Sequence, residues 1–323
     1  MLAAYAAAQD FNDPLSGLEV GEQPEPTVPA GWTTVEMRAA SLNHHDLWSL
    51  RGIGLPSDRL PMILGCDGAG VDADGRSVLI YPVIANAAAG GGDETMDSRR
   101  TILSELHQGT LAERITVPRR QLVPLPQGWT FAQAACLPTA WLTAYRMLAI
   151  RGGLVPGNTV LVQGAGGGVA TACIVLGKAM GLRVWATSRD ESKRERALSI
   201  GAAQAFSVGE RLPERVDSVM ETVGAATWEH SVKSLRAGGT LVVSGATSGP
   251  NPPALLAHVF FRQLNIVGST MGTLDDLKHL LSLCSVQGVR PIIHQQFPLR
   301  EAEAAFAALE AGDVFGKIVI TNE

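Results

Sequence analysis

Through its first third the chain alternates apolar and polar positions or clusters β-branched ones, between Gly, Pro and Asp. The segments TTVEMRAASLN (33–43), SVLIYPV (77–83) and LAERITVP (111–118) therefore predict β-strands set among loops. Between them AAAGGGDETMDSRR (87–100) is small, polar and poorly patterned, which predicts an exposed, mobile loop. Pro124 and Pro126 mark a passage out of this region. From about Thr130 the pattern changes. FAQAACLPTAWLTAYRMLAI (131–150) reads as helical, interrupted near Pro138. Four short apolar strands follow, TVLVQG (159–164), RVWATS (183–188), SVMETVG (218–224) and GTLVVSGA (239–246), with helical stretches such as TACIVLGKAMG and TWEHSVKSLRAGG among them. Strands alternating with helices predict an α/β, doubly wound parallel sheet. Beyond Val267 come a helix (LDDLKHLLSLC), the segment PIIHQQFPL, a helix (EAEAAFAALEAG) and a strand (GKIVI), a tail of the kind that returns to a first domain.

A length of 323 residues suits two ordinary domains or one large one, and 46% apolar against 18% charged residues allows a large core. The 35 glycines have no fibre-like period and fit many tight strand–helix turns. A formal charge of −5 gives no footprint for nucleic acid or an anionic membrane. The start MLAAYAAAQDF lacks a basic region and meets Asp10 early, and no apolar run reaches the roughly 18 residues needed to span a bilayer. Cys66, Cys136, Cys173 and Cys284 form no CxxC pair or disulfide spacing, so a reducing cytoplasm is the expected compartment.

The strongest chemical signal is TVLVQGAGGGVATACIVLGKAMG (159–181), a buried strand running into glycines and then a helix. Such a turn lets a pyrophosphate approach the backbone and rest on helix-terminal N–H groups. Ala165, Gly167 and Ala170 fill the three small-residue positions, with Gly164, Gly166 and Gly168 between them. A glycine triplet alone is weak evidence; the strand, the helix and a second strand at the right distance give it weight. That second strand ends in Thr187, Ser188 and Arg189, with Lys193 close behind, where an NAD site typically places a carboxylate. A hydroxyl and two cations suit a 2′-phosphate and favour NADPH over NADH. Asp190 is the rival ribose ligand, or else helps cap the next helix, in which Ser192 and Glu195 are spaced as a capping box.

The stretches AASLNHHDLWSLRG, LPMILGCDGAG, GTLAERITVP, AACLPTAWLTAYRML, VLVQGAGGGVAT, FFRQLNIVGSTMG and FGKIVI occur in this order. Together they make the sequence resemble the medium-chain dehydrogenase/reductase superfamily over essentially its whole length, especially its quinone oxidoreductase-like, zinc-binding-dehydrogenase-like branch. The resemblance implies a GroES-like β domain for substrate and catalysis (1–123 and 268–323), an inserted Rossmann domain (124–267) and a homodimer. It also suggests site residues. Asn43 and Thr143 would approach the nicotinamide end, and His44 would place a basic group near the pyrophosphate. Gly166, Gly167, Gly168 and Val169 would form the phosphate turn, and Ser188, Arg189 and Lys193 would hold the 2′-phosphate. Gly245, Ala246, Thr247, Ser269 and Met271 would contact the nicotinamide side, and Lys317 would reach the cofactor from the tail.

In zinc members of that superfamily a Cys, a His and a second Cys hold the metal; by motif these positions are Asn43, Cys66 and Thr139 here. Only Cys66 is a competent ligand, and the region of the four-cysteine structural lobe, 87–100, has no cysteine, so neither metal is expected. His44, His45, Asp46, Cys66, Asp67 and His107 are donors without an evident common point, since an extended His–His–Asp segment points to alternate faces. Cys66 reads as a packed or mildly reactive thiol. Without a Lewis acid, hydride addition to a quinone or an α,β-unsaturated carbonyl needs less help than alcohol oxidation. A tyrosine common in such reductases is replaced by Trp48, which can wall a pocket but not donate a useful proton. His45 is the nearest titratable donor, against the reading that it is a structural histidine. Tyr145 is assigned to helix packing and Asp46 to orienting its surroundings. The small-molecule carbonyl or quinone substrate is otherwise unspecified. Two other readings stay open: a zinc-type alcohol dehydrogenase with altered ligands, and a catalytically inactive NADPH-binding protein with a regulatory or structural role.

Overall fold

In the strand Trp32–Ser41 the period-two pattern becomes two faces: Val35, Met37 and Ala39 are buried while Glu36 and Arg38 stay exposed. The computed structural model describes residues 1–322 and separates into two compact units. The first comprises Met1–Thr139, Gly272–Leu281 and the segment from Ile293 onward; the second comprises Ala140–Met271 and Ser282–Ile292.

In the first unit Trp32–Ser41 pairs antiparallel with Asp67–Asp72, with Arg114–Pro118 and with the tail strand Lys317–Thr321. Ile293–Pro298 runs parallel to that tail strand, so the C-terminal segment completes the first unit's sheet. A smaller sheet joins Leu18–Glu22, Leu2–Ala6 and Met62–Ile63. The core between these layers and the helix Ala302–Ala311 includes Leu47, Leu64, Phe306 and Ile318.

The second unit holds a six-stranded, all-parallel sheet in the order Gln204–Phe206, Arg183–Thr187, Thr159–Val162, Val216–Glu221, Leu235–Val243, Asn265–Gly268. Its sequence order 3-2-1-4-5-6 is that of a Rossmann sheet, whose ligands lie beyond the carboxyl ends of the strands. Together the two units give the expected α/β architecture of a GroES-like β domain and a Rossmann domain.

Several expectations need correction. Beyond the four strands read from the apolar pattern, the sheet has two short edge strands, Gln204–Phe206 and Asn265–Gly268, the second largely exposed, which weakens the apolar signal. The first unit extends to Thr139 instead of ending at 123, because the helix Phe131–Ala135 belongs to it: Ser41 Oγ donates to Ala135 O at 3.0 Å. The second unit continues to Met271 because Asn265–Gly268 is hydrogen-bonded into its sheet, and Ser282–Ile292 also belongs to it. Residues 44–50 form a helix, not an extended segment, capped by Asn43 and closed by Asp46 Oδ2, which accepts from Asn43 N–H at 2.8 Å. Finally, 87–100 is a largely exposed loop, as expected, but one held by its own hydrogen bonds. Asp97 is almost wholly buried and accepts from Asn86 N–H (2.8 Å) and Arg99 N–H (2.9 Å), while Asp93 Oδ1 accepts from Thr95 N–H and its hydroxyl. No helix among the described residues is long and apolar enough to cross a membrane.

Candidate functional site

The glycine turn leaves the central strand Thr159–Val162 and enters the helix Gly168–Ala179. Gly164 has φ +73°, and a Cβ there would lie 2.7 Å from Val223 Cγ2, so only glycine fits. Gly166 also turns through positive φ. Gly167 sits at the helix N-cap, exposed, with open space where a Cβ would stand. The first N–H groups of the helix therefore face an uncovered surface without a side-chain cap, the arrangement that receives an anionic group. Ala165 N–H donates to Thr187 O at 2.7 Å, which holds this turn against the end of the second strand.

At that end Ser188 is buried, and its Oγ accepts from Asp190 N–H at 3.2 Å. Asp190 is the N-cap of the helix Glu191–Ile200: Oδ1 accepts from Ser192 N–H (2.8 Å) and Lys193 N–H (3.4 Å). Ser192 lies inside the first turn, so the Ser192–Glu195 capping box does not form. The side-chain and backbone bonds of Ser192 hold the Asp190 carboxyl below its usual pKa despite some desolvation. With Asp190 spent on capping, Arg189 stands exposed beside Ser188, and Arg194, which the sequence reading passed over, braces the loop by donating to Ser188 O at 2.9 Å.

The same edge of the sheet carries Gly245–Thr247, where Thr247 N–H donates to Thr222 O at 3.4 Å. Ser269 N–H donates to Val243 O at 2.8 Å, while Ser269 Oγ is buried with no hydrogen-bond partner among the described residues. Met271 adopts φ +48°, unusual for a side-chain-bearing residue. Thr143 is buried on the helix Leu142–Tyr145. The fold thus brings the glycine turn, the Ser188–Asp190 loop and the Gly245–Thr247 positions to the carboxyl ends of one parallel sheet.

In the first unit the carried-over metal positions do converge. Asn43 Nδ2 lies 3.6 Å from Cys66 Sγ, and Cys66 Sγ lies 3.4 Å from Thr139 Oγ1. They do not fit a metal ion. Asn43 and Thr139 are poor ligands, and burial first, then the Asp67 and Asp46 carboxylates, pushes the Cys66 thiol far from ionisation. Cys66 is therefore a packed thiol, not a reactive one. Among the described residues no three His, Cys, Asp or Glu side chains converge as a metal-binding group.

An ion pair that sequence reasoning missed occupies this place. Lys317 is buried, and its Nζ donates to Leu42 O (2.7 Å), Asn43 Oδ1 (2.6 Å) and Asp67 Oδ2 (3.2 Å), which uses its three protons. The ammonium thus turns inward instead of reaching out toward a cofactor. Asn43 Nδ2 also donates to Asp67 Oδ2 at 2.9 Å, so its carboxamide is spent within the cluster. The available signal was a lysine in the apolar strand FGKIVI, since a buried charge needs a partner.

On the short helix, His44 keeps solvent access, yet desolvation by surrounding protein, followed by the Lys317 and Arg51 charges, holds its pKa below the ordinary imidazole value. His45 is half-buried, with Nε2 3.5 Å from Ser49 Oγ one turn along, and Trp48 is half-buried beside it. Tyr81 is no alternative proton source: its hydroxyl donates to Gly272 O at 2.8 Å, and burial, then the Glu94 charge, raises its pKa far above the usual phenol value.

Comparison with known proteins agrees with this architecture. Residues 29–127 match the alcohol dehydrogenase GroES-like domain, and residues 168–285 match the zinc-binding dehydrogenase family. An acryloyl-coenzyme A reductase from Metallosphaera sedula is 29% identical over 95% of this chain and 97% of its own. A crystal structure of an NAD-dependent alcohol dehydrogenase is 33% identical, with a TM-score of 0.91 and full coverage of both chains. A cobalt- and zinc-bound alcohol dehydrogenase from Pyrobaculum aerophilum is 26% identical, with a TM-score of 0.90 over 99% of each chain. A full-length relative a third identical, matched domain by domain, settles the assignment: this chain belongs to the medium-chain dehydrogenase/reductase superfamily of oxidoreductases.

Proposed function

We propose that the protein is an NADPH-dependent reductase that delivers hydride to a carbonyl-activated double bond or a quinone without zinc. The observation that carries this reading is the uncapped helix start at Gly167 beside a ribose loop whose carboxylate, Asp190, is committed to capping while Arg189 is exposed. The N–H groups following Gly167 bind the pyrophosphate, and Ser188, Arg189 and Lys193 bind the 2′-phosphate as charge-assisted donors. Ser269 Oγ, lacking a protein partner, takes a hydrogen bond from the nicotinamide side. NADPH when bound supplies the hydride. His45 supplies the proton from the helix His44–Leu50, with Trp48 walling the substrate. The acryloyl-coenzyme A reductase relative supports an activated alkene as acceptor.

A homodimer is part of the proposal. Asn265–Gly268 is an open sheet edge exposing Ile266, and the preceding helix Leu256–Phe261 exposes Leu256, Phe260 and Phe261, the last at 78%. A second reading, NADH-linked alcohol or aldehyde chemistry, is favoured by the likeness to the NAD-dependent alcohol dehydrogenase.

The test is steady-state oxidation of NADPH and of NADH by metal-analysed protein with acryloyl-coenzyme A, an aliphatic enone, a benzoquinone and a naphthoquinone. NADPH-preferred turnover on any of these acceptors without stoichiometric zinc is the expected result. Alcohol oxidation with bound zinc overturns it, and NADPH binding with no turnover on the panel favours a non-catalytic, cofactor-binding role.

A further inference from the structure

The second unit contains a buried hydrogen-bond chain that none of the proposed roles uses. It starts at Glu221, wholly buried at the end of its strand. Its carboxylate accepts from the N–H groups of Val223 (2.8 Å) and Gly224 (3.0 Å), from Thr227 Oγ1 (2.9 Å) and from Ser231 Oγ (2.6 Å). A hydroxyl has one proton, so Ser231, having given it to Glu221, can only accept from Gln163 Nε2 at 3.0 Å. That orients the Gln163 amide. Its nitrogen also faces His230 Nδ1 (3.0 Å), and its oxygen faces Thr187, whose hydroxyl donates to Oε1 at 2.6 Å. Thr187 Oγ1, its proton spent, accepts the N–H of Gly164, first glycine of the turn, at 3.3 Å. At the other end His230 Nε2 lies 2.9 Å from Glu210 O, a carbonyl that can only accept. Nε2 must carry the imidazole proton, Nδ1 must be bare, and the ring is neutral.

We infer that dinucleotide binding is coupled to the protonation of His230, because the relay that sets the phosphate turn runs in one direction only while this imidazole is neutral. This rests on the dinucleotide reading above. A proton on Nδ1 opposes an N–H to the Gln163 NH2 group. The amide then turns over to present Oε1 to the imidazolium and to Ser231, whose proton leaves Glu221 to meet it, and the NH2 group faces Thr187. The Thr187 oxygen accepts from that group, its own proton loses its acceptor, and the Gly164 N–H loses a well-aligned partner. His230 is half-buried, so solvent protons reach it, whereas Gln163, Thr187, Ser231 and Glu221 are buried.

Few charges oppose or assist this titration. Glu221 on the neighbouring strand favours the imidazolium. The carboxylate of Glu210 is turned to Ser207 N–H at 2.8 Å. On the same helix Glu229 pairs with Lys233, and His258 of the helix Leu256–Phe261 acts on Glu229. Desolvation outweighs the Glu210 bond and the Glu221 attraction, keeping the ring neutral near pH 7.

The test measures NADP+ binding, an acid-stable probe sharing the pyrophosphate, by calorimetry near pH 8 and near pH 5.5. Wild-type affinity should fall with acid about tenfold more than that of His230→Leu, the size expected for one lost hydrogen bond. Ionisation of the 2′-phosphate is common to both proteins and cancels. At pH 7.5 the ¹⁵N resonances of His230 should report a bare Nδ1 and a protonated Nε2. Should His230→Leu fail to fold, Thr187→Val should bind NADP+ about tenfold more weakly than wild type at pH 8 and lose the excess acid response. Equal acid responses in wild type and the variant, or a protonated Nδ1 at pH 7.5, overturn the relay alone. Absence of binding of both NADP+ and NAD+ at both pH values overturns the dinucleotide reading and this inference with it.

Discussion

The buried carboxylate of Asp46 accepts from the N–H groups of Asn43 (2.8 Å) and Gly65 (3.0 Å), and desolvation raises its pKa. It ties the helix start to the turn between Met62–Ile63 and Asp67–Asp72. Asp46→Ala strands both donors and should cost about 3 kcal/mol in urea unfolding, from about 1–3 kcal/mol for each unpaired buried group. Asp46→Asn, which keeps an acceptor, should cost less; equal losses would show that a single retained acceptor oxygen does not replace the carboxylate. Lys317→Met is the harsher change, because it leaves the Asp67 carboxylate buried without its cation, a loss of about 3–5 kcal/mol. Adding Asp67→Leu should restore part of that stability, and a double variant no more stable than the single would contradict the pairing. On the ribose loop, Arg189→Ala should lower kcat/KM for NADPH about tenfold or more and leave NADH nearly unchanged. A parallel loss with both coenzymes would remove Arg189 from 2′-phosphate binding.

Elements with strong periodicity were legible in the sequence. The strands Trp32–Ser41, Thr159–Val162 and Arg183–Thr187, the helix Ala302–Ala311 and the glycine turn all followed from pattern and turn chemistry. The helix His44–Leu50 was missed because seven residues carry too little apolar period, although Asn43 and Asp46 spell its cap. The edge strands lie outside the apolar pattern for a different reason: Gln204–Phe206 is too short to carry one, and the exposed Asn265–Gly268 has no face to bury. The Gln163–His230 relay was illegible because its members come from separate strands and a helix, and each looks ordinary alone; only Glu221, a carboxylate in an apolar strand, hinted at it. The exposed edge itself makes a prediction. Ile266→Pro removes an edge N–H and an apolar contact, and should convert the proposed dimer to monomer in sedimentation velocity. A wild type that sediments as a monomer at all concentrations would rule out this interface.

Across the whole molecule, several titrating groups pull stability in the same direction. His44, His107 and His230 have pKa values lowered chiefly by desolvation, so on acidification the unfolded chain takes up their protons first. Their contribution is complete above the unfolded imidazole value of 6.5 and is lost as pH falls below it. Asp97, Asp190 and Asp217 have lowered pKa values, so theirs is complete above the unfolded 3.8 and is lost as pH falls through the depressed values. Asp46, with its raised pKa, acts oppositely and softens the decline. The melting temperature without coenzyme should therefore be flat near pH 7–8, decline below about 6.5 and drop more steeply below about 4. Calorimetry showing no change between pH 8 and 5 would refute the histidine part.

The loop 87–100 draws its order from Asp97 and Asp93, at the place where the resemblance to zinc dehydrogenases sets a cysteine-bound metal. That difference changes what can damage it. A thiolate–metal lobe is undone by chelators, by peroxide and by competing soft metals, all of which act on sulfur or on the ion. A loop clasped by carboxylate-to-amide bonds, with no cysteine between Ile84 and Thr101, offers those agents no thiolate or bound ion to attack, and its one sulfur, the exposed thioether of Met96, points to solvent outside the clasp. Its weakness is acid instead, and this part of the protein should keep its shape through oxidative or metal-starved conditions.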